Sequence, residues 1–141
     1  MAITGEKAVV AVYRRINGVA IPSKDSETSI AVFKYKKAER YHGEYIAINH
    51  LPFVAEKVID NAIVNVNVHV PKLPTNEADT ERLGELCDIV RELFPRDTNI
   101  NGAYYSYYCD SRPTLDNDGT YYVNLKIRVE YSNLDFNILE N

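Results

Sequence analysis

The stretch that decides the fold runs from Asn61 to Phe94 and reads NAIVNVNVHVPKLPTNEADTERLGELCDIVRELF. In its first ten residues, small or branched apolar side chains alternate with polar ones. Successive side chains of a strand point to opposite faces, so this alternation predicts a half-buried strand over 61–70. Its apolar face holds Ala62, Val64, Val66, Val68 and Val70, and its polar face holds Asn65, Asn67 and His69.

The second half of this stretch predicts an amphipathic helix. Apolar residues recur from Leu83 to Phe94 at offsets of three and four, which is the spacing of one helix face. Thr75 or Asn76 is the expected N-cap, because both side chains can accept a hydrogen bond from the first turn. Pro95 ends the pattern.

The remaining elements follow from shorter patterns of the same two kinds. A helix is predicted over 7–16, a first strand over 30–35 and a second over 44–50. Strands over 103–110 and 121–131 are predicted to pair as a hairpin with a long loop. The order is therefore α-β-β-β-α-β-β, and the fold class is α+β, with a mixed, mostly antiparallel sheet packed on two helices.

The two cysteines, Cys87 and Cys109, are expected to be small buried side chains, because free cysteine is among the most buried residue types. Cys87 falls on the predicted core face of the second helix. Strict alternation places Cys109 on the same strand face as Tyr105 and Tyr107. The sequence leaves open whether the cysteines are close together, and a reducing compartment disfavours a disulfide.

Length and composition predict one domain over residues 1–141. Hydrophobic residues make up 45% and charged residues 26% of the chain, both ordinary for a globular protein with a core. We expect an exposed loop at 17–29 and an apolar C-terminal arm at 132–141. No long apolar run and no secretion signal are present, so we expect no membrane span and a protein that stays in the cytoplasm or in an assembly built there.

The charges are unevenly distributed. The formal net charge is −4, so specific nucleic-acid recognition through a basic field is not expected. Residues 1–40 hold 8 Lys and Arg against 4 Asp and Glu, whereas residues 41–141 hold 8 against 16. This asymmetry is either chance along one fold or a sign of head-to-tail contacts between copies. The Tyr-rich strands favour core and interface roles over base stacking, because only Lys126 and Arg128 lie near them.

Motifs that carry chemistry are lacking in the sequence. The three histidines, His42, His50 and His69, do not have the spacing of a zinc site. The sequence Asp116-Asn117-Asp118-Gly119 is similar to part of a calcium loop, but it lacks the glutamate at the twelfth position and predicts a turn. Phosphate loops and nucleophile elbows are also missing. We therefore expect no catalytic, cofactor-binding or metal-binding residues.

Three segments resemble a known family. The segments IAINH over 46–50, VNVNVHVP over 64–71 and EADTERL over 77–83 resemble small tail-terminator (tail-completion) proteins of tailed bacteriophages and prophages of Bacteroidetes-type bacteria. The similarity covers approximately 41–131, with a weaker match in the first helix. The matching motifs are structural rather than catalytic.

The resemblance implies a structural virion protein and no enzyme. Such a protein forms a ring, expected to be a hexamer, that caps the tail tube and meets the head-tail connector protein. It implies a place in the tail or neck of the virion, after assembly in the cytoplasm of the host bacterium, and no cofactor. The alternatives are another head-tail connector or neck subunit, or a small host-encoded ligand-binding module with a deep polar pocket containing a histidine.

The residues expected at subunit contacts come from four places: the polar strand face, the end of the first helix, the acidic face of the second helix and the C-terminal arm. They are Asn65, Asn67, His69, Arg14, Arg15, Glu81, Glu85 and Phe136.

Overall fold

The structure, a computed structural model, describes residues 5–24, 27–51, 60–95, 98–100 and 103–131. Within these ranges, two helices and a seven-stranded mixed sheet form an α+β fold, which confirms the predicted class. The elements are α1 (Gly5–Asn17), β1 (Ala31–Lys34), β2 (Tyr45–His50), β3 (Asp60–Pro71), α2 (Thr80–Leu93), β4 (Thr98–Ile100), β5 (Ala103–Asp110), β6 (Thr114–Leu115) and β7 (Thr120–Tyr131). The predicted order of the longer elements is also confirmed. The short strands β4 and β6 lie outside the predicted strands.

The sheet is built around β3, the strand with the long alternation. The strand order is β1-β2-β3-β7-β5-β4, and β6 also pairs with β7. Only the β1–β2 pair is parallel among the described strand pairs. β3 pairs with β7 over its whole length, from Asp60 opposite Tyr131 to Pro71 opposite Thr120. The predicted hairpin-like pairing of the last two long strands is present between β5 and β7.

Both helices pack on the same face of this sheet. α1 contacts β1, β2 and β3, while α2 contacts β3, β7 and α1. The apolar face of β3 meets the apolar stripes of both helices, and Val66, Val12 and Leu86 are fully buried there. Burying one such side chain contributes about 1.5–3 kcal/mol. The opposite face of the sheet is covered by neither described helix, so we call it the open face. No helix in the described part of the chain is long and apolar enough to cross a membrane.

α2 starts later than the sequence predicts. Asp79 is the N-cap, and its side chain accepts a hydrogen bond from the Arg82 amide at 3.2 Å. The predicted caps, Thr75 and Asn76, are wrong because both lie in a preceding turn. Asn76 has a left-handed φ of 69°, and its N–H donates to the Leu73 carbonyl at 2.8 Å.

A bulge in β5 changes which face carries Cys109. One extra residue lies between Tyr107 and Cys109, so Cys109 pairs with Lys126 on the open face. The expectation that Cys109 shares a face with Tyr105 and Tyr107 is therefore wrong. Cys109 is half-buried, whereas Cys87 is buried as predicted, and both thiols are free.

The loop predicted over 17–29 is exposed for most of its described length, but Ser23 is half-buried and Ile21 is buried. Ile21 is only 2% exposed and joins the core. Its carbonyl accepts a hydrogen bond from the Ile30 amide at 2.8 Å, and Pro22 and Ser29 form an isolated antiparallel bridge. The loop is thereby fixed at its base. The predicted C-terminal arm, 132–141, lies outside the described residues.

Candidate functional site

A polar groove of about 560 Å³ lies on the open face of the sheet, and we call it the sheet groove. Its floor consists of alternate residues of β2, β3 and β7. The apolar residues of these strands face the helices, so their polar residues must face the opposite way. The groove is bordered by residues 35–37 after β1 and by residues 116–118 before β7.

Three rings stack across the floor of the sheet groove. Tyr45 lies directly opposite His69 in the strand register, and His69 lies directly opposite Tyr122. The Tyr45 and His69 ring centroids are 4.1 Å apart at an interplanar angle of 11°, and those of His69 and Tyr122 are 5.0 Å apart at 26°. Cross-strand aromatic pairs stabilise a sheet and restrict ring rotation. The His69 ring, only 5% exposed, is therefore held in a fixed orientation.

A chain of hydrogen bonds joins His69 to the loop before β7. The Thr120 hydroxyl donates to Asp118 Oδ1 at 2.6 Å, and His69 Nδ1 lies 2.9 Å from the same hydroxyl oxygen. A threonine hydroxyl has one hydrogen, and Thr120 donates it to Asp118. In the contact between His69 and Thr120, the N–H at Nδ1 is therefore the donor, and Nε2 carries the lone pair of the neutral ring. The Tyr45 hydroxyl donates to Asp118 Oδ2 at 2.5 Å. Asp116 Oδ2 lies 3.8 Å from His69 Nδ1.

The protonation states of this group follow from burial and these hydrogen bonds. Burial lowers the pKa of His69 from 6.5 despite the nearby carboxylates, so the ring is neutral at pH 7. Burial, together with the hydrogen bond to Asp118, raises the pKa of the Tyr45 phenol. Burial also acts to raise the pKa of Asp118, but the hydrogen bonds from Thr120 and Tyr45 outweigh it and lower that pKa. The site therefore combines a neutral imidazole with an ionised carboxylate.

The rest of the groove floor is an amide network across three strands. Asn65 donates to Asn49 Oδ1 at 2.9 Å, and Asn124 donates to Asn67 Oδ1 at 2.8 Å and to Asn65 Oδ1 at 3.1 Å. Lys126 Nζ donates to the same Asn65 oxygen at 2.8 Å. Asn65 is only 8% exposed. Two of the predicted contact residues, Asn65 and Asn67, thus bind their neighbours within the subunit.

The two arginines predicted at subunit contacts have different surroundings. Arg14 is exposed on α1. Arg15 is half-buried, and its guanidinium donates to the Leu93 carbonyl and lies 5.7 Å from the centre of the Phe94 ring. Arg15 therefore joins the C-terminal ends of the two helices, and only Arg14 presents its charge fully to solvent.

The other predicted contact residues are acidic or lie beyond β7. Glu81 and Glu85 are exposed on α2, and Glu85 Oε2 accepts a hydrogen bond from Arg82 at 3.1 Å. Phe136 lies outside the described residues. Of the acidic pair, Glu81 has no ion-pair partner in the described part of the chain.

The histidines do not come together, but His69 gains two acidic neighbours. His42 is exposed in the loop between β1 and β2, and His50 at the end of β2 packs its ring edge-to-face on Tyr35 at 6.0 Å. Instead, ligand-type atoms of His69, Asp116 and Asp118 all lie within 4.8 Å of one another. Sequence reasoning missed this cluster because it depends on the pairing of β3 with β7, although the Asp-Asn-Asp-Gly turn was visible.

Comparison with known proteins does not assign the chain to a family. No family model matches the sequence, and no curated protein matches it. The resemblance to tail-terminator proteins therefore rests on the three segments alone.

Proposed function

We propose that this protein is a structural virion protein of a tailed bacteriophage or prophage, a tail terminator that forms a ring, caps the tail tube and joins it to the head. Its partners are further copies of itself, expected as a hexamer, the tail tube protein and the head-tail connector protein. The proposal rests on the resemblance and on one structural observation, which is the separation of two oppositely charged surfaces on the subunit.

The first surface is the basic edge, which we define as Lys34, Lys36, Lys37 and Arg40 at the end of β1 and in the loop that follows. Lys34, Lys36 and Arg40 are exposed. β1 is an edge strand of the described sheet, so these cations lie at one side of the subunit. Lys36 and Arg40 have no ion-pair partner among the described residues, and their charges are available to a second molecule.

The second surface is the acidic helix face, which we define as Glu81, Glu85, Asp88 and Glu92 on α2. All four side chains are exposed. Asp88 pairs with Arg91 at 2.7 Å and Glu85 with Arg82 at 3.1 Å, so part of this charge is offset within the helix. Glu81 and Glu92 have no such partner in the described ranges.

The two surfaces lie apart on the subunit. α2 packs over β3 and β7, which are two and three strands away from β1. Neighbouring strands lie about 4.8 Å apart, so the helix is displaced from the basic edge by roughly 10 Å or more. Two different, complementary patches at separate places on a subunit favour head-to-tail contacts, which close into a ring when the rotation between neighbours allows it.

The proposal is tested by measuring assembly of the purified chain, alone and with tail tube protein. We expect a ring of copies in light scattering coupled to gel filtration, and ring-capped tube ends in negative-stain electron micrographs. A chain that stays monomeric both alone and with tube protein would contradict the proposal. Binding to portal or connector protein but not to tube ends would instead support a connector or neck subunit.

A ligand-binding module is the second candidate, and the sheet groove favours it. The groove is polar and a buried histidine lines it, which are two of the features that this alternative predicts. The assembly measurement separates the two candidates, because a monomeric binding module forms no rings and does not recognise tube ends.

A further inference from the structure

We propose that His69, Asp116 and Asp118 form a binding site for a divalent transition-metal ion such as Zn²⁺ or Mn²⁺. The inference does not depend on the function proposed above. His69 comes from β3 and the two aspartates from the turn before β7, and their ligand-type atoms lie within 4.8 Å of one another. The separation between His69 Nδ1 and Asp116 Oδ2 is 3.8 Å.

The composition of the cluster determines the class of ion. One imidazole nitrogen with two carboxylates suits Zn²⁺, which binds imidazole well, and Mn²⁺, which binds carboxylates and accepts a nitrogen ligand, whereas Ca²⁺ and Mg²⁺ prefer oxygen ligands throughout. Ligands in a tetrahedral zinc site are about 3.4 Å apart, as follows from bonds of about 2.1 Å. The His69–Asp116 separation is close to this value, and the Asp116 side chain, 38% exposed on a turn, can move inward.

The carboxylate oxygens that face the cluster are oriented by hydrogen bonds to other atoms. Asp116 Oδ1 accepts from the Asn117 amide at 2.7 Å, which leaves Oδ2 toward His69. Asp118 Oδ1 accepts two hydrogen bonds from Thr120, from its amide at 3.0 Å and its hydroxyl at 2.6 Å. Asp118 Oδ2 accepts one, from Tyr45, and keeps a second lone pair. Metal ligands are usually oriented by such outer hydrogen bonds.

The negative charge of the cluster points independently to a cation. Asp116 and Asp118 form no ion pair with a lysine or arginine of the described residues, and Lys37 acts on the His69 ring only as a distant charge that lowers its pKa. His69 is more than nine-tenths buried, and its Nε2 makes no hydrogen bond within the described part of the chain. An ion at Nδ1 takes the place of the proton that Nδ1 donates to the Thr120 hydroxyl, so that hydroxyl has to rotate aside, and the displaced proton passes to Nε2.

The test measures metal uptake by the untagged chain after dialysis against a chelator and then against metal-free buffer. Titration calorimetry with ZnCl₂, MnCl₂, CaCl₂ and MgCl₂, together with elemental analysis after equilibrium dialysis, gives affinity and stoichiometry. We expect one Zn²⁺ or Mn²⁺ per chain, bound more tightly than Ca²⁺ or Mg²⁺. Asp116→Asn keeps the acceptor for the Asn117 amide but removes a charged ligand, and should weaken binding by about 10-fold or more.

The controls are a matched acid and a matched histidine outside the cluster. Asp88→Asn and His42→Gln should bind the ion like the unaltered chain, whereas His69→Gln should lose binding. If His69→Gln does not fold, Asp116→Asn decides the result alone. Absence of uptake at millimolar metal, unchanged affinity in Asp116→Asn, or tighter binding of Ca²⁺ than of Zn²⁺ and Mn²⁺ would each overturn the proposal.

Discussion

At the scale of single residues, His69 has the most constrained surroundings on the open face. Its ring lies between two tyrosines, its Nδ1 contacts the Thr120 hydroxyl, and it is 5% exposed. A buried imidazole costs little when it is neutral and much more when it carries a charge. The residue is therefore sensitive to pH even though the two carboxylates nearby favour its protonated form.

We predict that His69 makes the folded state less stable as the pH falls. Burial lowers its folded-state pKa below 6.5, so the unfolded chain binds this proton more readily. Stability then rises with pH across the interval from the folded-state pKa to about 6.5, and it is lost as the pH falls through that interval. The contribution of one proton cannot exceed about 1.4 kcal/mol per pH unit.

The measurement is urea unfolding between pH 7.5 and pH 5, with a chelator present so that bound metal plays no part. The unaltered chain should lose more stability over this range than His69→Gln. The exposed histidine, His42, provides the control. The free energy of unfolding of His42→Gln should depend on pH as that of the unaltered chain does. Equal slopes for the unaltered chain and His69→Gln would show that His69 protonates equally in both states.

Part of this site was predictable from sequence and part was not. The alternation along β3 placed His69 on a polar face, and the Asp116–Gly119 sequence predicted a turn. Both are local patterns. Their proximity depends on the register in which His69 faces Tyr122, a contact across 53 positions of the chain. Local patterns carry no information about such a register, so the cluster could not be predicted.

At the scale of elements, one arginine links three parts of the fold. Arg82 of α2 donates to both carboxylate oxygens of Glu44, at 2.6 and 3.0 Å, and to the Pro22 carbonyl at 2.9 Å. The Glu44 side chain is 8% exposed and that of Arg82 is 12% exposed. This two-point ion pair therefore connects the start of β2, the loop after α1 and the first turn of α2 in a poorly hydrated place.

Glu44→Gln should destabilise the fold by about 2–4 kcal/mol, because it leaves a buried guanidinium without its main counter-charge. Glu85 also contacts Arg82, but its side chain is 54% exposed, so Glu85→Gln should cost less than about 0.5 kcal/mol. The free energies of unfolding in urea check both values. Similar losses for the two variants would mean that the Glu44 contact contributes no more than an ordinary surface pair.

The elements themselves show what periodicity can and cannot predict. β3 and the stripe of α2 were predictable because their periods of two and 3.6 are properties of a short segment. The first residue of α2 was not predictable, because Thr75, Asn76 and Asp79 are all suitable N-caps. The left-handed turn at Asn76 is what leaves Asp79 as the cap. The bulge before Cys109 was also hidden, because an extra residue leaves the run of strand-forming residues intact.

At the scale of the whole molecule, the asymmetry of charge along the sequence becomes an asymmetry in space. Part of the basic N-terminal segment forms the basic edge beside β1, and α2 carries the acidic helix face over β3 and β7. Two exposed ions at such a contact contribute only about 0.2–1 kcal/mol per pair. Reversal of one surface, however, replaces attraction by repulsion at every contact of a ring.

If these surfaces meet in neighbouring copies, reversing either one should weaken assembly and mixing the two reversed chains should restore it. One variant carries Lys36→Glu and Arg40→Glu, and the other carries Glu81→Lys and Glu92→Lys. In the mixture, each acidic edge faces a basic helix and each basic edge faces an acidic helix, which gives an alternating ring. A contact in which like surfaces meet would not be rescued in this way.

Light scattering and native mass spectrometry should show each variant alone with roughly 10–100-fold weaker association, as expected for a loss of about 1.4–2.8 kcal/mol per contact. The mixture should form oligomers that contain both chains in equal number, and added salt should weaken the assembly of the unaltered chain. Lys72→Glu with Arg112→Glu provides the matched control for the Lys36→Glu, Arg40→Glu variant, because it lowers the net charge by the same amount at two exposed cations that belong to neither surface. If this control also abolishes assembly, net charge rather than the pairing of the basic edge with the acidic helix face governs the ring. If the reversed chains assemble normally, the subunits meet through other surfaces.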